Sequence, residues 1–172
     1  SNWMPARIEA ANAYAQQANL KGFVANQPGW SLAAHETHFA DVSPMLYVDD
    51  ATLDWHTRTK LPLFSYSSQA GGYFSEANVQ WARQGFTRSA PRGASYDSPA
   101  NRERLQQTLK MAAQKGCTAN QVALAWLLHQ PFPTFPIIGS RSPDHIRESM
   151  GALQVQLDPE ESRRVCTAGT RD

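Results

Sequence analysis

The 172-residue sequence contains no apolar run approaching the roughly 20 residues that a membrane-spanning helix requires, which sets that class aside and leads us to expect a soluble protein. Cysteine is scarce. Cys117 and Cys166 form no CxxC unit and no repeated metal-ligand spacing, and two cysteines in a chain this long do not make a secreted disulfide framework. Charge of one sign is missing as well: 16 Lys and Arg against 15 Asp and Glu leave a formal net charge of +1, too little to gather nucleic acid or an anionic membrane. Arg83, Arg88 and Arg92 cluster within RQGFTRSAPRG, but no nucleic-acid-binding module surrounds them, so neither nucleic acid nor membrane is an expected partner. A basic start followed by an apolar stretch, the mark of a secretion signal, is absent, and with the low cysteine content this points to a reducing cytoplasm. There is no P-loop, no nucleophile elbow, no GxGxxG, no internal repeat and no low-complexity tract.

What is present is globular in composition, with 41% hydrophobic and 18% charged residues, and the length suits one core. Ser1, Asn2 and Trp3 run straight into an expected helix. Apolar runs from Phe23 to Gln27, Leu61 to Tyr66 and Phe135 to Ser140 read as three buried strands, each ending in small or polar residues. Helical spacing lies between and after them: Leu105, Leu109 and Ala112 share one face, as do Val122, Ala125, Trp126 and His129. Helix starts carry their own chemistry. Ser98 precedes Pro99, Ser142 precedes Pro143, Thr118 pairs with Gln121 as a capping box, and Asp158 precedes an acidic first turn.

Strands alternating with helices imply parallel strands joined by helical crossovers, an α/β organisation. About three parallel strands make only a small open sheet, whereas a closed barrel of this type takes eight strands and about 250 residues, so the chain reads as an incomplete domain. The intervals from Ala33 to Lys60 and Ser67 to Ser98 hold more loop than a minimal crossover needs.

Ligands of parallel α/β folds bind beyond the carboxyl ends of the strands, which directs attention to Gln27 and Pro28, to Tyr66, Ser67, Ser68, Gln69, Gly71 and Gly72, and to Gly139, Ser140 and Arg141. The last three lead into a helix N-terminus, and a permissive glycine, free N–H groups and a guanidinium together suit a phosphate. An ordinary strand-to-helix turn with an exposed arginine is the plain alternative. Within AHETH, His35, Glu36 and His38 are not spaced as HExxH and have no third ligand, so a solvated loop is expected there and no metal site is assigned. His129 reads as a partner of a helix C-terminus or a packed side chain, and Trp126 as core.

Several segments, in this order and spacing, resemble the aldo-keto reductases, NADP(H)-dependent enzymes built on a (β/α)8 TIM barrel. They are SNW followed by RI at the start, ANQP with WSL after the first strand, FSYSSQAGGYFS after the second, TANQVALAWLLHQP, and FPIIGSRSPDHIRESMGALQVQL. The resemblance runs nearly end to end and places residues 1–172 as a single partial domain, the C-terminal portion of the barrel with its flanking helices. By this resemblance Ser1, Asn2 and Gln27 hold the nicotinamide carboxamide and Tyr66 stacks on the nicotinamide ring. Ser67 and Gln69, with the backbone toward Gly71 and Gly72, wrap the pyrophosphate. Gly139, Ser140 and Arg141 receive the adenosine 2′-phosphate, which favours NADP over NAD because a doubly charged phosphate gains most from a guanidinium fork. His145, Glu148 and Ser149 lie around the adenine, although many members carry Arg or Gln at the first of these positions and Asn at the last.

The family reduces aldehydes or ketones by hydride transfer, with a tyrosine tuned by a lysine and an aspartate and assisted by a histidine protonating the oxygen. That tetrad belongs to the first half of the barrel. None of the 5 tyrosines sits in the family's catalytic motif, and Lys21, Lys60, Lys110 and Lys115 lie in other segments, so no catalytic residue is assigned here. The chain alone is expected to bind cofactor poorly and to catalyse nothing. A small carbonyl substrate is expected only in the complete protein. The alternative is a non-catalytic half-barrel that binds or assembles, pairing its open sheet with a second copy or with an N-terminal half.

Overall fold

A computed structural model describes residues 1–35, 45–87 and 89–168. The expected helix starts are where side-chain caps place them. Ser98 Oγ accepts from the Asn101 N–H at the head of the helix Pro99–Lys115, and the reciprocal Thr118 and Gln121 bonds open the helix Ala119–Leu128. Ser142 and Asp158 cap the helices Pro143–Met150 and Pro159–Thr167 in the same way, each followed by proline at a position whose N–H would have had no helical partner. The elements are α1 Pro5–Gln17, α2 Asp50–Thr59, β1 Leu63–Ser65, α3 Glu76–Arg83, α4 Pro99–Lys115, α5 Ala119–Leu128, β2 Thr134–Pro136, α6 Pro143–Met150 and α7 Pro159–Thr167. None of the described helices is long and apolar enough to cross a membrane.

β1 and β2 pair in parallel, with Leu63 opposite Thr134, Phe64 opposite Phe135 and Ser65 opposite Pro136. The chain between them passes through α3, α4 and α5, so the α/β crossover expectation holds. One expectation changes. The run from Phe23 to Gln27 is not a strand: it contributes one bridge, Asn26 to Leu63, and Phe23 and Val24 are 48% and 64% exposed. Its backbone pairs with β1 through the Asn26 N–H to the Pro62 carbonyl at 2.9 Å and the Phe64 N–H to the Asn26 carbonyl at 2.8 Å. The two long intervals carry α2 and α3, α2 opened by Asp49 accepting from the Thr52 N–H, with chain outside any α-helix on either side of α3 in line with the expected excess of loop there.

The core sits between the sheet and the helices. Leu63, Leu105, Val122, Leu127 and Val165 are fully buried, and Leu105 and Ala112 face inward from α4 as their spacing predicts, with Leu109 half-buried beside them. Trp126 is core as expected, edge-on to Trp30 with centroids 5.1 Å apart, and Trp30 stacks on Phe132. Arg104 is buried and satisfied: its Nε donates to the Cys166 carbonyl and its Nη1 to Asn101 Oδ1, both at 2.8 Å, tying α4 to α7. His129 is the C-cap of α5, its Nδ1 2.8 Å from the Ala125 carbonyl, in line with the sequence reading.

The other face of the sheet is open. Strands covered on both sides are apolar on both, and here only the Leu63 and Ser65 side of β1 is packed. Phe64 and Phe135 stack on each other at 4.8 Å yet remain 38% and 48% exposed, and Ile137 stands beside them on the same exposed side. The expectation of buried strands is therefore correct for one face only.

Candidate functional site

Because β1 and β2 are parallel, their carboxyl ends open on the same side, and two clusters of polar side chains form there. The first joins the chain start to the residue leaving β1. The Tyr66 hydroxyl lies 2.8 Å from Asn2 Oδ1 and 2.9 Å from the Leu46 carbonyl, and the Leu46 N–H donates to the same Asn2 oxygen at 3.1 Å. The Asn2 N–H donates to the Gln27 carbonyl at 3.4 Å, which brings Gln27 alongside with its own side chain exposed. Burial, followed by the neighbouring Tyr47, pushes the Tyr66 hydroxyl above its ordinary pKa, so it stays protonated and donates. Asn2 and Ser67 adopt left-handed backbone angles, φ 55° and 53°, a conformation that ordinary side chains enter rarely and that concentrates at ligand sites. Ser1 is exposed at this end of the sheet.

The second cluster links the β1 exit to α5 and α6. Gln69 Oε1 accepts from the Gly139 N–H at 3.2 Å, while its Nε2 donates to Asn120 Oδ1 at 3.2 Å and to Ser149 Oγ at 3.1 Å. Asn120 Nδ2 donates to Glu148 Oε2 at 2.8 Å, and Thr118 Oγ1 donates to the other Glu148 oxygen. Gln69, Gly139, Glu148 and Ser149 are thus drawn into one hydrogen-bonded unit, with Asn120 at its centre. Gly139, Ser140 and Arg141 are exposed as they approach α6, and no atom stands within 4 Å of where a Gly139 Cβ would be, so the approach to this backbone is clear. His145 is exposed on the first turn of α6, its N–H capped by Ser142 Oγ at 3.3 Å.

Gly71 and Gly72 serve the backbone first. Both have positive φ, 62° and 86°, and a Cβ on Gly71 would come 3.3 Å from the Gly93 Cα, so the turn through Ala70–Gly72 packs against a second loop. His35 is not in a solvated loop: it stacks on Tyr47 at 3.9 Å and meets Tyr96 edge-on at 5.2 Å. Glu36, His38 and Arg88 lie outside the described residues. Among the described residues no group of three side chains is placed to hold a metal ion. Sequence reasoning did not nominate Asn120, Thr118 or the Leu46 main chain as members of this region. Thr118 carried a visible signal, but as a helix cap, and Asn120 and Leu46 carried none.

Comparison with known proteins agrees with this architecture. The sequence pattern of the aldo/keto reductase family matches residues 1–168. A protein of Schizosaccharomyces pombe described as a putative voltage-gated potassium channel subunit beta is 28% identical over 171 residues, covering 96% of this chain and 47% of that protein. Norsolorinic acid reductase of Aspergillus flavus is 28% identical over 160 residues, covering 92% of this chain and 36% of that protein. The crystal structure of a thermostable aldo-keto reductase in complex with the inhibitor epalrestat superposes with a TM-score of 0.58 at 16% identity, over 97% of this chain and 46% of that one, which shows the shared fold. The chain thus spans half or less of the length of these relatives. With a family pattern that runs from Ser1 to Ala168 and a parallel α/β fold shared with a solved member, the chain belongs to the aldo/keto reductase family of oxidoreductases, which generally use NAD(P)H.

Proposed function

We propose that this chain is the NADP(H)-binding, C-terminal half of a (β/α)8 aldo-keto reductase that reduces aldehydes or ketones to alcohols in the cytoplasm, with the catalytic tetrad in the N-terminal half. The observation that carries the reading is the convergence of Asn2, Gln27 and Tyr66 in one cluster and of Gln69, Gly139, Glu148 and Ser149 in another, both at the carboxyl ends of parallel strands. These residues fit the cofactor chemically. Asn2 and Gln27 offer amides to a carboxamide, and the Tyr66 ring offers an aromatic face. Ser67, with Gln69 and the turn through Gly71 and Gly72, is assigned to the pyrophosphate in this reading. Gly139 leaves its backbone open beside Ser140, and Arg141 brings a cation to a 2′-phosphate, with His145, Glu148 and Ser149 on the adenine side.

When bound, NADPH supplies the hydride that a carbonyl carbon receives. The residues of this chain bind and orient; protonation of the carbonyl oxygen belongs to a tyrosine outside these 172 residues. The open sheet face supports the same placement, since Phe64, Phe135 and Ile137 project to the side that a closed barrel would fill with side chains. NADPH oxidation with an aromatic aldehyde tests the reading when measured on the chain and on any longer polypeptide that carries it. Turnover by the longer polypeptide and none by the chain is expected; robust turnover by the chain alone would overturn the placement of the catalytic groups.

A second reading rests on the exposed apolar faces. Ile146, Met150 and Leu153 are exposed at helical spacing along α6 and the turn after it, in addition to the open sheet face. A non-catalytic half-barrel that pairs with another copy or with an N-terminal half would cover both. Sedimentation velocity tests the self-pairing form of this reading, because a well-behaved monomer at high concentration contradicts self-assembly.

A further inference from the structure

The Asn2 side chain has its orientation set by the main chain. A backbone N–H can only donate, so the Asn2 atom 3.1 Å from the Leu46 nitrogen must be the amide oxygen. The Tyr66 hydroxyl reinforces this from a second direction at 2.8 Å. The Asn2 Nδ2 group is therefore turned away from both, toward solvent, with two N–H donors to offer.

Leu46 is held in turn by Gly29. The Gly29 N–H donates to the Leu46 carbonyl at 2.8 Å, the same oxygen that faces the Tyr66 hydroxyl, and the Val48 N–H donates to the Gly29 carbonyl at 3.0 Å. Gly29 bridges both Tyr47 and Tyr66 in parallel register. Its missing side chain matters: a Cβ there would come 2.7 Å from Tyr66 Cε2 and 2.8 Å from two Tyr47 ring carbons, closer than such atoms approach. Neither tyrosine ring could keep its place beside an alanine.

We propose that Gly29 and the Leu46 main chain are positioning elements that hold the Asn2 amide with its NH2 outward and set the place of the Tyr66 ring. The inference rests on the nucleotide reading above, in which Asn2 holds the nicotinamide carboxamide and Tyr66 stacks on its ring; what it adds is the role of Gly29 and the Leu46 main chain in setting both. Gly29 and Leu46 touch no ligand themselves; they act through Asn2 and Tyr66.

The test compares two ligands, NADP and 2′,5′-ADP, which lacks the nicotinamide, by NMR titration of the full 172-residue chain and its Gly29→Ala and Tyr66→Phe variants. Gly29→Ala is expected to weaken NADP about tenfold and 2′,5′-ADP less than about twofold, the difference a lost hydrogen bond and a displaced ring make. Tyr66→Phe, which keeps the ring and removes one of the two donors to Asn2, is expected to act in the same direction by about threefold and keeps the test decisive if Gly29→Ala does not fold. In the unsubstituted chain the Asn2 side-chain NH2 resonances shift with NADP and not with 2′,5′-ADP. Equal losses for both ligands, or none for NADP, overturn the positioning role alone. Weak binding is expected of the chain alone; a chain that shows no resonance shift with either ligand even at millimolar ligand overturns the nucleotide reading and this inference with it.

Discussion

Substituting phenylalanine for His56 keeps a ring against Phe132, where the two centroids are 5.2 Å apart, and removes both ring nitrogens from a fully buried position. Nδ1 faces the Leu61 carbonyl at 2.8 Å, which can only accept, so Nδ1 carries the proton and Nε2 accepts from Asn26 Nδ2 at 3.2 Å. His56→Phe leaves that carbonyl and the Asn26 amide without these partners. At about 1–3 kcal/mol for each buried polar group left unsatisfied, and with Leu61 only half-buried, the expected loss is roughly 2–4 kcal/mol. That is a large part of the roughly 5–15 kcal/mol that holds a domain folded. The pH dependence has a definite sign. Burial lowers the His56 pKa below its ordinary value of 6.5, with the Leu61 carbonyl acting weakly the other way. The unfolded chain therefore takes up this proton at a higher pH than the folded one, and the stabilisation is complete above about pH 6.5 and declines as the pH falls below it. Urea unfolding followed by circular dichroism from about pH 7.5 to pH 5 measures both effects. The advantage of the native chain over His56→Phe should shrink on acidification. A difference under about 0.5 kcal/mol at neutral pH, or one that does not change with pH, would refute the tautomer and the burial argument together.

Three further outcomes follow from the same geometry. Gln69→Leu, nearly the same in volume, removes the acceptor for the Gly139 N–H and the donors to Asn120 and Ser149; hydrogen exchange at Gly139 should accelerate and stability should fall by about 1–3 kcal/mol. Thr118→Ala breaks the capping box of α5 and one Glu148 contact, lowering stability by about 1 kcal/mol in the same unfolding assay, and an unchanged midpoint would contradict the cap. Phe64→Gln combined with Phe135→Gln should change the stability of the monomer by less than about 1 kcal/mol while reducing concentration-dependent association in sedimentation, because these rings face outward; a core-sized loss would contradict the open sheet face.

Local chemistry is the part of this fold that the sequence states directly. Caps at Ser98, Thr118, Ser142 and Asp158 each involve a side chain and a backbone group three residues apart, and all four are present. α3 was hidden because Ser75 precedes it without making a side-chain cap bond, and α2 because its polar face surrounds only a few buried residues, among them Trp55 and His56. The apolar look of Phe23 and Val24 misled in the other direction. A strand exists only with neighbours to pair, and of this segment only Asn26 bridges to β1. The site divides the same way. Tyr66, Gln69 and Gly139 sit at strand exits, positions that topology makes legible. Asn120 reaches Gln69 across 51 positions in sequence and Glu148 across 28, contacts that only the packed arrangement of α5 against α6 creates.

The measurement that bears most directly on nucleotide binding is a backbone NMR titration of the chain with NADP, NAD and 2′,5′-ADP, a method that detects even weak binding. NADP should perturb Gly139, Ser140 and Arg141 together with Tyr66 and Asn2, 2′,5′-ADP should perturb only the first three and their α6 neighbours, and NAD should bind more weakly than NADP. Arg141→Gln should remove most of the preference for NADP, about a tenfold or greater change for a lost charged hydrogen bond to phosphate. Perturbations confined to other surfaces, or equal binding of NAD and NADP with Arg141 intact, would contradict the account.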